Sequence, residues 1–209
     1  MTQTRTSPPK PGELKVLRRA LGQMADIPPR EWRALRSIIR GRDLKRGEYL
    51  ARAGEKATDF AVVIKGALRE FYIRPNGSEF NKQFCLAGDF SGSYFDLLSE
   101  GVSTASIEAL SDCRLLIGDY RRFTALYDRH PVWDRVGRLI AEALFVRKAR
   151  REYDFLALSA EERYRLLRAR TPRLEELIPQ FHIASYLGVT PVALSRIRQR
   201  MRASDDGPK

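Results

Sequence analysis

The 209-residue chain carries 38 Lys and Arg against 26 Asp and Glu, a formal net charge of +12, with 43% hydrophobic and 10% aromatic residues. That apolar content supports a folded core in one large or two modest domains and excludes general disorder, while the positive charge points to a polyanionic partner, nucleic acid before an anionic membrane surface. No apolar run approaches the roughly 18 residues of a membrane span, and the start MTQTRTSPPKPG lacks a signal peptide's apolar core, so no membrane partner and a cytoplasmic location are expected.

In chain order, the first dozen residues hold Pro8, Pro9, Pro11 and Gly12 without apolar periodicity and read as a flexible arm. Leu14, Leu17 and Leu21, then Trp32, Leu35, Ile38 and Ile39, recur at helical spacing and predict two short helices over 13–24 and 29–40. From about Leu44 to Ile117 the chain turns to short β-branched and aromatic runs punctuated by Gly47, Gly54, Gly66, Gly77 and Gly88, the texture of a small antiparallel β domain. Asn76-Gly77 lies between two such runs, and because both residues tolerate positive φ, a type I′ hairpin is expected there. Cys85 and Cys113 sit in apolar, strand-like surroundings and read as small buried hydrophobes. His130 and His182 stand far apart, so no metal site, iron–sulfur cluster or other cofactor is expected.

From His130 to about Phe155 the turn signals vanish, and Val132, Val136, Leu139, Ala143, Val146 and Tyr153 trace a heptad seam that skips Arg150. Ile140 and Leu144 lie beside the seam and are placed to pack back onto the β domain. A helix with two faces to bury suits a parallel homodimer, although the seam can also pack within one chain. A charged helix follows at about Ala160–Arg170, and residues 131–209, with 16 basic and 10 acidic side chains, hold half of the net charge.

The segment QFHIASYLGVTPVALSRIRQRM, residues 180–201, has the spacing of a helix-turn-helix. Ala184 permits close helix approach, Gly188 suits the positive φ of the turn, and Ile183, Leu187, Val189, Leu194 and Ile197 supply a shared apolar seam. Thr190 suits the N-cap and Pro191 the first helical position. The second helix would then expose Ser195, Arg196, Gln199 and Arg200 to phosphates and base edges. An ordinary helical hairpin with a solvated basic face has the same spacing.

The order of glycine-punctuated roll, long helix and helix-turn-helix resembles the Crp/Fnr family of bacterial transcription regulators over about residues 14–202. The fragments RGEYLARAGEKATDFAVVIKGALREFY, GDFSG, ASIEALSDCRLL, LSAEERYRLL and IASYLGVTPVALSRIRQ carry the resemblance. It implies an α+β fold with an antiparallel β-roll of cyclic-nucleotide-binding type at 14–130, a dimerisation helix at 131–155 and a helix-turn-helix domain at 156–209. It further implies a homodimeric, sequence-specific regulator rather than an enzyme, with double-stranded DNA, a small-molecule effector and, for an activator, RNA polymerase as partners.

In the family's cyclic-nucleotide branch, Gly-Glu follows GDF to hold the ribose and, about ten residues on, Arg-Ser holds the phosphate. Here those positions read Gly92-Ser93 and Ser103-Thr104, and Lys148 and Ala149 stand where that branch offers hydroxyls to the adenine. The resemblance therefore implies an effector other than cAMP, with Gly92, Ser93, Tyr94, Ser103 and Thr104 as the candidate lining of any remaining pocket. The cysteine set of the iron–sulfur branch is absent.

In the DNA-reading half the family places a glutamate and a threonine before a Ser-Arg or Gly-Arg pair; this chain keeps Ser195-Arg196 behind Val192 and Ala193. By that resemblance Arg196 contacts guanine, Gln180 and Thr190 anchor phosphates, Arg200 adds to the basic face, and Val192 meets a thymine methyl, giving a half-site that departs from the family's TGA sequence. ASDDGPK stands where many members continue into a β-hairpin wing, leaving Arg198, Arg200 and Arg202 to offset its phosphate contacts. The alternative reading is a cyclic-nucleotide-like sensor module that regulates a protein partner and keeps the helix-turn-helix only as a fold element.

Overall fold

The computed structural model describes residues 6–205, with side chains described to residue 203. Part of the expected arm is ordered: β1 (Thr6–Ser7) pairs antiparallel with β2 (Ile39–Leu44), and α1 (Pro11–Gly22) starts at a proline whose missing N–H costs nothing at that position. The Glu13 carboxylate accepts the Lys10 N–H at 2.8 Å and pairs with Arg114, so the arm reading fails where a buried ion pair outweighs local composition; residues 1–5 of that arm lie outside the described residues. After α2 (Pro29–Ile38) come β3 (Tyr49–Ala51), β4 (Asp59–Lys65), β5 (Ala67–Ile73), β6 (Glu79–Leu86) and β7 (Phe90–Ser91). Then follow α3 (Tyr94–Leu98), β8 (Ser106–Ala109), β9 (Cys113–Asp119) and α4 (Tyr120–Thr124).

The strands form two antiparallel sheets, ordered β1-β2-β9-β4-β7 and β3-β8-β5-β6. Leu44, Ala61, Val63, Leu68, Ile107 and Leu115 fill the space between them. Because successive side chains of a strand point to opposite faces, Val62 of β4 turns outward and packs under Leu17, Leu21, Trp32, Leu35 and Trp133. The first sheet is thus covered on both faces.

The β5–β6 connection is a hairpin, but its turn is not type I′. Gly77 N–H donates to the Arg74 carbonyl at 2.8 Å and Gly77 has φ +79°, whereas Glu100 is the one non-glycine residue at positive φ among the described residues. The turn therefore has Pro75 and Asn76 at its centre and the left-handed glycine after them. Pro75 favours the first central position of a type I turn, and Asn76 Oδ1 accepts from Ser78 N–H at 3.1 Å, which draws the turn one residue back.

The long helix α5 (Val132–Ala157) is followed by α6 (Ala160–Arg170), α7 (Leu174–Leu177), α8 (Gln180–Leu187) and α9 (Pro191–Asp205). Two members of the expected seam, Val132 and Val136, are buried in the roll's own helical layer with Trp133. Farther along α5, Phe145, Val146, Tyr153 and Leu156 are exposed, Phe145 by 70% and Leu156 by 83%. The outward stripe accordingly runs through Leu139, Val146 and Tyr153, with Ala149 between the last two and Leu156 beyond them, while Ile140 packs back onto the roll. The shift arises because the first turns of α5 close the roll and only the later turns rise clear of it. Among the described residues no helix is long and apolar enough to cross a membrane.

A third core holds the C-terminal helices together through Tyr164, Leu174, Ile178, Ile183, Leu194 and Ile197, and Ala67, Phe84 and Leu86 of the second sheet join it. The helical head is therefore seated on the β5–β6 hairpin of its own chain. Arg151 of α5 ties this seat together, donating to the carbonyls of Asn81 at 3.2 Å and Tyr186 at 3.0 Å while its guanidinium stacks 3.9 Å from the Tyr186 ring.

Candidate nucleic-acid interface and effector pocket

The turn between α8 and α9 has the local chemistry its residues imply. Gly188 closes α8 at φ +72°, with Gly188 N–H donating to the Ser185 carbonyl and Val189 N–H to the Ala184 carbonyl, the paired bonds of a Schellman cap. Ala184 is fully buried at the crossing. Thr190 Oγ1 accepts the Ala193 N–H at 3.2 Å as the N-cap of α9, and Pro191 is the first residue of that helix.

One face of α9 is spent on packing, with Leu194, Ile197 and Met201 buried. The opposite face carries Val192, Ser195, Arg196, Gln199 and Arg200 in solvent, Val192 by 61%. Arg200 pairs with Glu161 at 3.4 Å and the half-buried Arg198 with Glu175 at 2.9 Å, so these two arginines are braced by α6 and α7. Gln180 is exposed at the start of α8, away from that stripe in sequence but on the same head. The arrangement presents a basic, hydrogen-bonding helix face flanked by exposed helix starts, a surface suited to a polyanionic groove.

In the roll, the five candidate pocket residues separate into two groups. Ser93 and Thr104 are drawn together by Asp96, a buried carboxylate on α3 that accepts from Ser93 Oγ, from Thr104 N–H at 2.9 Å and from Thr104 Oγ1 at 3.1 Å. Ser103 Oγ donates to the Ala105 carbonyl at 2.7 Å. These hydroxyls are committed to the protein, and a buried carboxylate occupies their midst where an anion would need donors. Gly92 and Tyr94 instead face an apolar cavity between the roll and α5. Gly92 adopts φ +146°, and a Cβ there would lie 3.3 Å from the Asp59 carbonyl oxygen.

The roll holds a second buried carboxylate, on its other sheet. Glu70 of β5 is fully buried and accepts from Lys82 Nζ and Gln83 Nε2, each at 2.6 Å. Burial disfavours the Lys82 charge, yet the adjoining Glu70 carboxylate holds its pKa above the usual lysine value. Burial pushes the Cys85 thiol up to about 12, leaving it an inert core group. Asp96 and Glu70 were not among the residues singled out from sequence, because an acid on a short helix or a strand looks like a solvated one until its neighbours are known. Among the described residues no group of His, Cys, Asp and Glu is arranged to hold a metal ion.

Residues 41–130 match the profile of the cyclic nucleotide-binding domain family. Over 84 residues the chain is 37% identical to the transcriptional activator protein Anr of Pseudomonas protegens, a match that spans 39% of this chain and 34% of that protein. Among solved structures, FixK2 from Bradyrhizobium japonicum superposes with a TM-score of 0.70 at 18% identity, over 80% of this chain and 86% of that one. A Crp/Fnr-family protein from Eubacterium rectale superposes with a TM-score of 0.68 at 15% identity, over 86% and 85%. Fold and site thus define a β-roll of cyclic-nucleotide-binding type joined through a long helix to a helix-turn-helix head. That is the architecture of the Crp/Fnr regulators.

Proposed function

We propose that this chain is a sequence-specific DNA-binding transcription regulator of Crp/Fnr type, working as a cytoplasmic homodimer under an effector other than cAMP. The observation that carries the reading is the exposed Ser195-Arg196 pair on α9, on a helix whose start is set by the Thr190 cap and whose other face is locked into the head. Arg196 reads a guanine edge, Val192 meets a thymine methyl, and Gln180, Thr190, Ser195 and Arg200 position the phosphate backbone. In this reading residues 14–130 are the sensor, 131–155 the dimerisation helix and 156–209 the DNA-binding domain. Two heads related by dimer symmetry present their α9 helices to successive major grooves about 34 Å apart, so the target is near-palindromic. The identity to Anr lends itself to an activating output with RNA polymerase as a further partner, and the reading requires no catalytic step.

Selection of bound duplexes from a random pool, followed by gel shift against non-specific competitor, tests this. Enrichment of a palindrome whose half-site departs from TGA at the position facing Val192 is the expected result. Failure to enrich any sequence would transfer the function to a protein partner.

A further inference from the structure

The apolar cavity beneath α5 is not explained by DNA reading or by dimerisation. It measures about 70 Å³ and lies between α1 and α2 on one side, the roll below, and the inner face of α5 above, where Ile140 and Leu144 form its ceiling. None of the residues lining it is charged. Its polar groups are few. Ser91 is 5% exposed, and its hydroxyl makes no hydrogen bond; the neighbouring Cys85 thiol is a weak partner at best. Tyr94, Tyr120 and Tyr127 stand together on one wall, the Tyr94 and Tyr120 rings 6.0 Å apart, and burial raises the pKa of Tyr120 and Tyr127, which keeps those two hydroxyls neutral.

The backbone makes room for that wall at a cost. Gly137 sits inside α5, where glycine is worth about 0.5–1 kcal/mol less than alanine. A Cβ at this position would collide with the Tyr127 hydroxyl. A buried hydroxyl left without a partner costs free energy as well, and a ligand that supplies the missing hydrogen bond recovers it.

We propose that this cavity is a binding site for a small, neutral, mostly hydrocarbon molecule bearing one hydrogen-bonding group, which Ser91 engages while the aromatic and aliphatic walls take the rest. A charged ligand is excluded because nothing in the lining would compensate the loss of its hydration. The cavity exceeds the about 10–15 Å³ that one water occupies and falls short of the roughly 150 Å³ that accepts benzene, so a molecule smaller than benzene fits it as it stands, and 1-butanol or phenol enters with a small outward shift of the α5 ceiling. The site is separate from the cassette held by Asp96. Its regulatory meaning rests on the regulator reading, since α5 carries the cavity on one face and the exposed apolar stripe on the other; its existence does not.

The test uses the full chain with phenol and 1-butanol as probes and benzoate and cAMP as charged controls, read by titration calorimetry and thermal shift without DNA. Saturable binding of phenol or butanol at one site per chain, with none for benzoate or cAMP, is expected. Ser91→Ala should raise the melting temperature of the unliganded protein and weaken phenol binding about fivefold, as loss of one neutral hydrogen bond implies. Ile140→Phe, which fills the ceiling, should abolish binding and guards against a folding defect in the first variant. Absence of saturable binding by both neutral probes, equal binding of benzoate, or unchanged affinity in both variants overturns the proposal. Gel shifts on the same samples keep the two readings apart: DNA selectivity without phenol binding removes this site alone, and phenol binding without DNA selectivity removes the regulator reading alone.

Discussion

Asn81 and His182 join the roll to the helical head: Asn81 Nδ2 donates to the His182 carbonyl at 3.0 Å and approaches His182 Nδ1 at 3.3 Å. Arg69 Nη1 stands 3.4 Å from the same ring nitrogen and pairs with Glu79 at 2.5 Å, while Arg69 Nη2 pairs with Glu108 at 2.5 Å. Since both neighbours of Nδ1 are donors, that nitrogen is the acceptor and the imidazole is neutral. Burial first, then the Arg69 charge with a smaller push from Arg46, lowers the His182 pKa to about 4 against the opposing pull of Glu79. The seat of the head is therefore sensitive to acid.

A histidine whose folded pKa lies below its unfolded value of 6.5 gives its full stabilisation above that value and loses it as pH falls toward 4. Taking the chain from neutral pH to about pH 5 should cost about 2 kcal/mol through this group alone. Thermal melts at the two pH values should show a fall that is largely removed in His182→Gln. Equal falls in both proteins would place the acid sensitivity elsewhere.

The exposed stripe on α5 predicts the oligomer. Leu156 and Tyr153 touch little in the single chain, so Leu156→Glu should leave the melting of a monomer within about 0.5 kcal/mol of the parent. Placed in a parallel two-stranded contact, the same glutamate would face its own copy across an apolar seam and abolish the dimer. Light scattering on both proteins decides it; a parent that is already monomeric at micromolar concentration contradicts the seam.

Much of the head was legible because its rules are local. Gly188 had to take positive φ, Thr190-Pro191 had to start a helix, and the apolar spacing of Ile183, Leu187, Leu194 and Ile197 left one way to cross the two helices. The α5 seam was only half legible, because Val132 and Val136 share a heptad phase with Leu139 and Val146, and only the roll's position decides which of them meets it. Asn76-Gly77 misled on turn type because Pro75, next to it, competes for the central position. Nothing local could reveal Asp96 or the Asn81–His182 seat, since their roles exist only between segments distant in sequence.

Asp96 makes a prediction about ligand choice. Its carboxylate satisfies the Ser93 hydroxyl and the Thr104 N–H and hydroxyl, so cyclic nucleotides should give no heat and no thermal shift at millimolar concentration. Asp96→Ala should destabilise the roll by about 1–3 kcal/mol, because it strands buried donors without creating the arginine a phosphate needs. Tight cAMP binding by the parent chain would show that the cassette opens in solution.

On the proposed reading, base reading and phosphate attraction should separate at the two ends of α9. Arg196 lies in the exposed stripe near the start of the helix, whereas Arg202 is exposed a turn and a half further on, beyond Met201. On the selected site, Arg196→Ala should cost roughly 1–3 kcal/mol of discrimination at one base pair while non-specific affinity changes little. Arg202→Ala should weaken all duplexes alike and reduce the steepness of the salt dependence by about one phosphate contact. Titrations of matched and single-substituted duplexes at several salt concentrations distinguish the two behaviours. Sequence-blind losses from both variants would mean that α9 holds the backbone without reading bases, and the half-site would then have to be specified by the shape and deformability of the duplex.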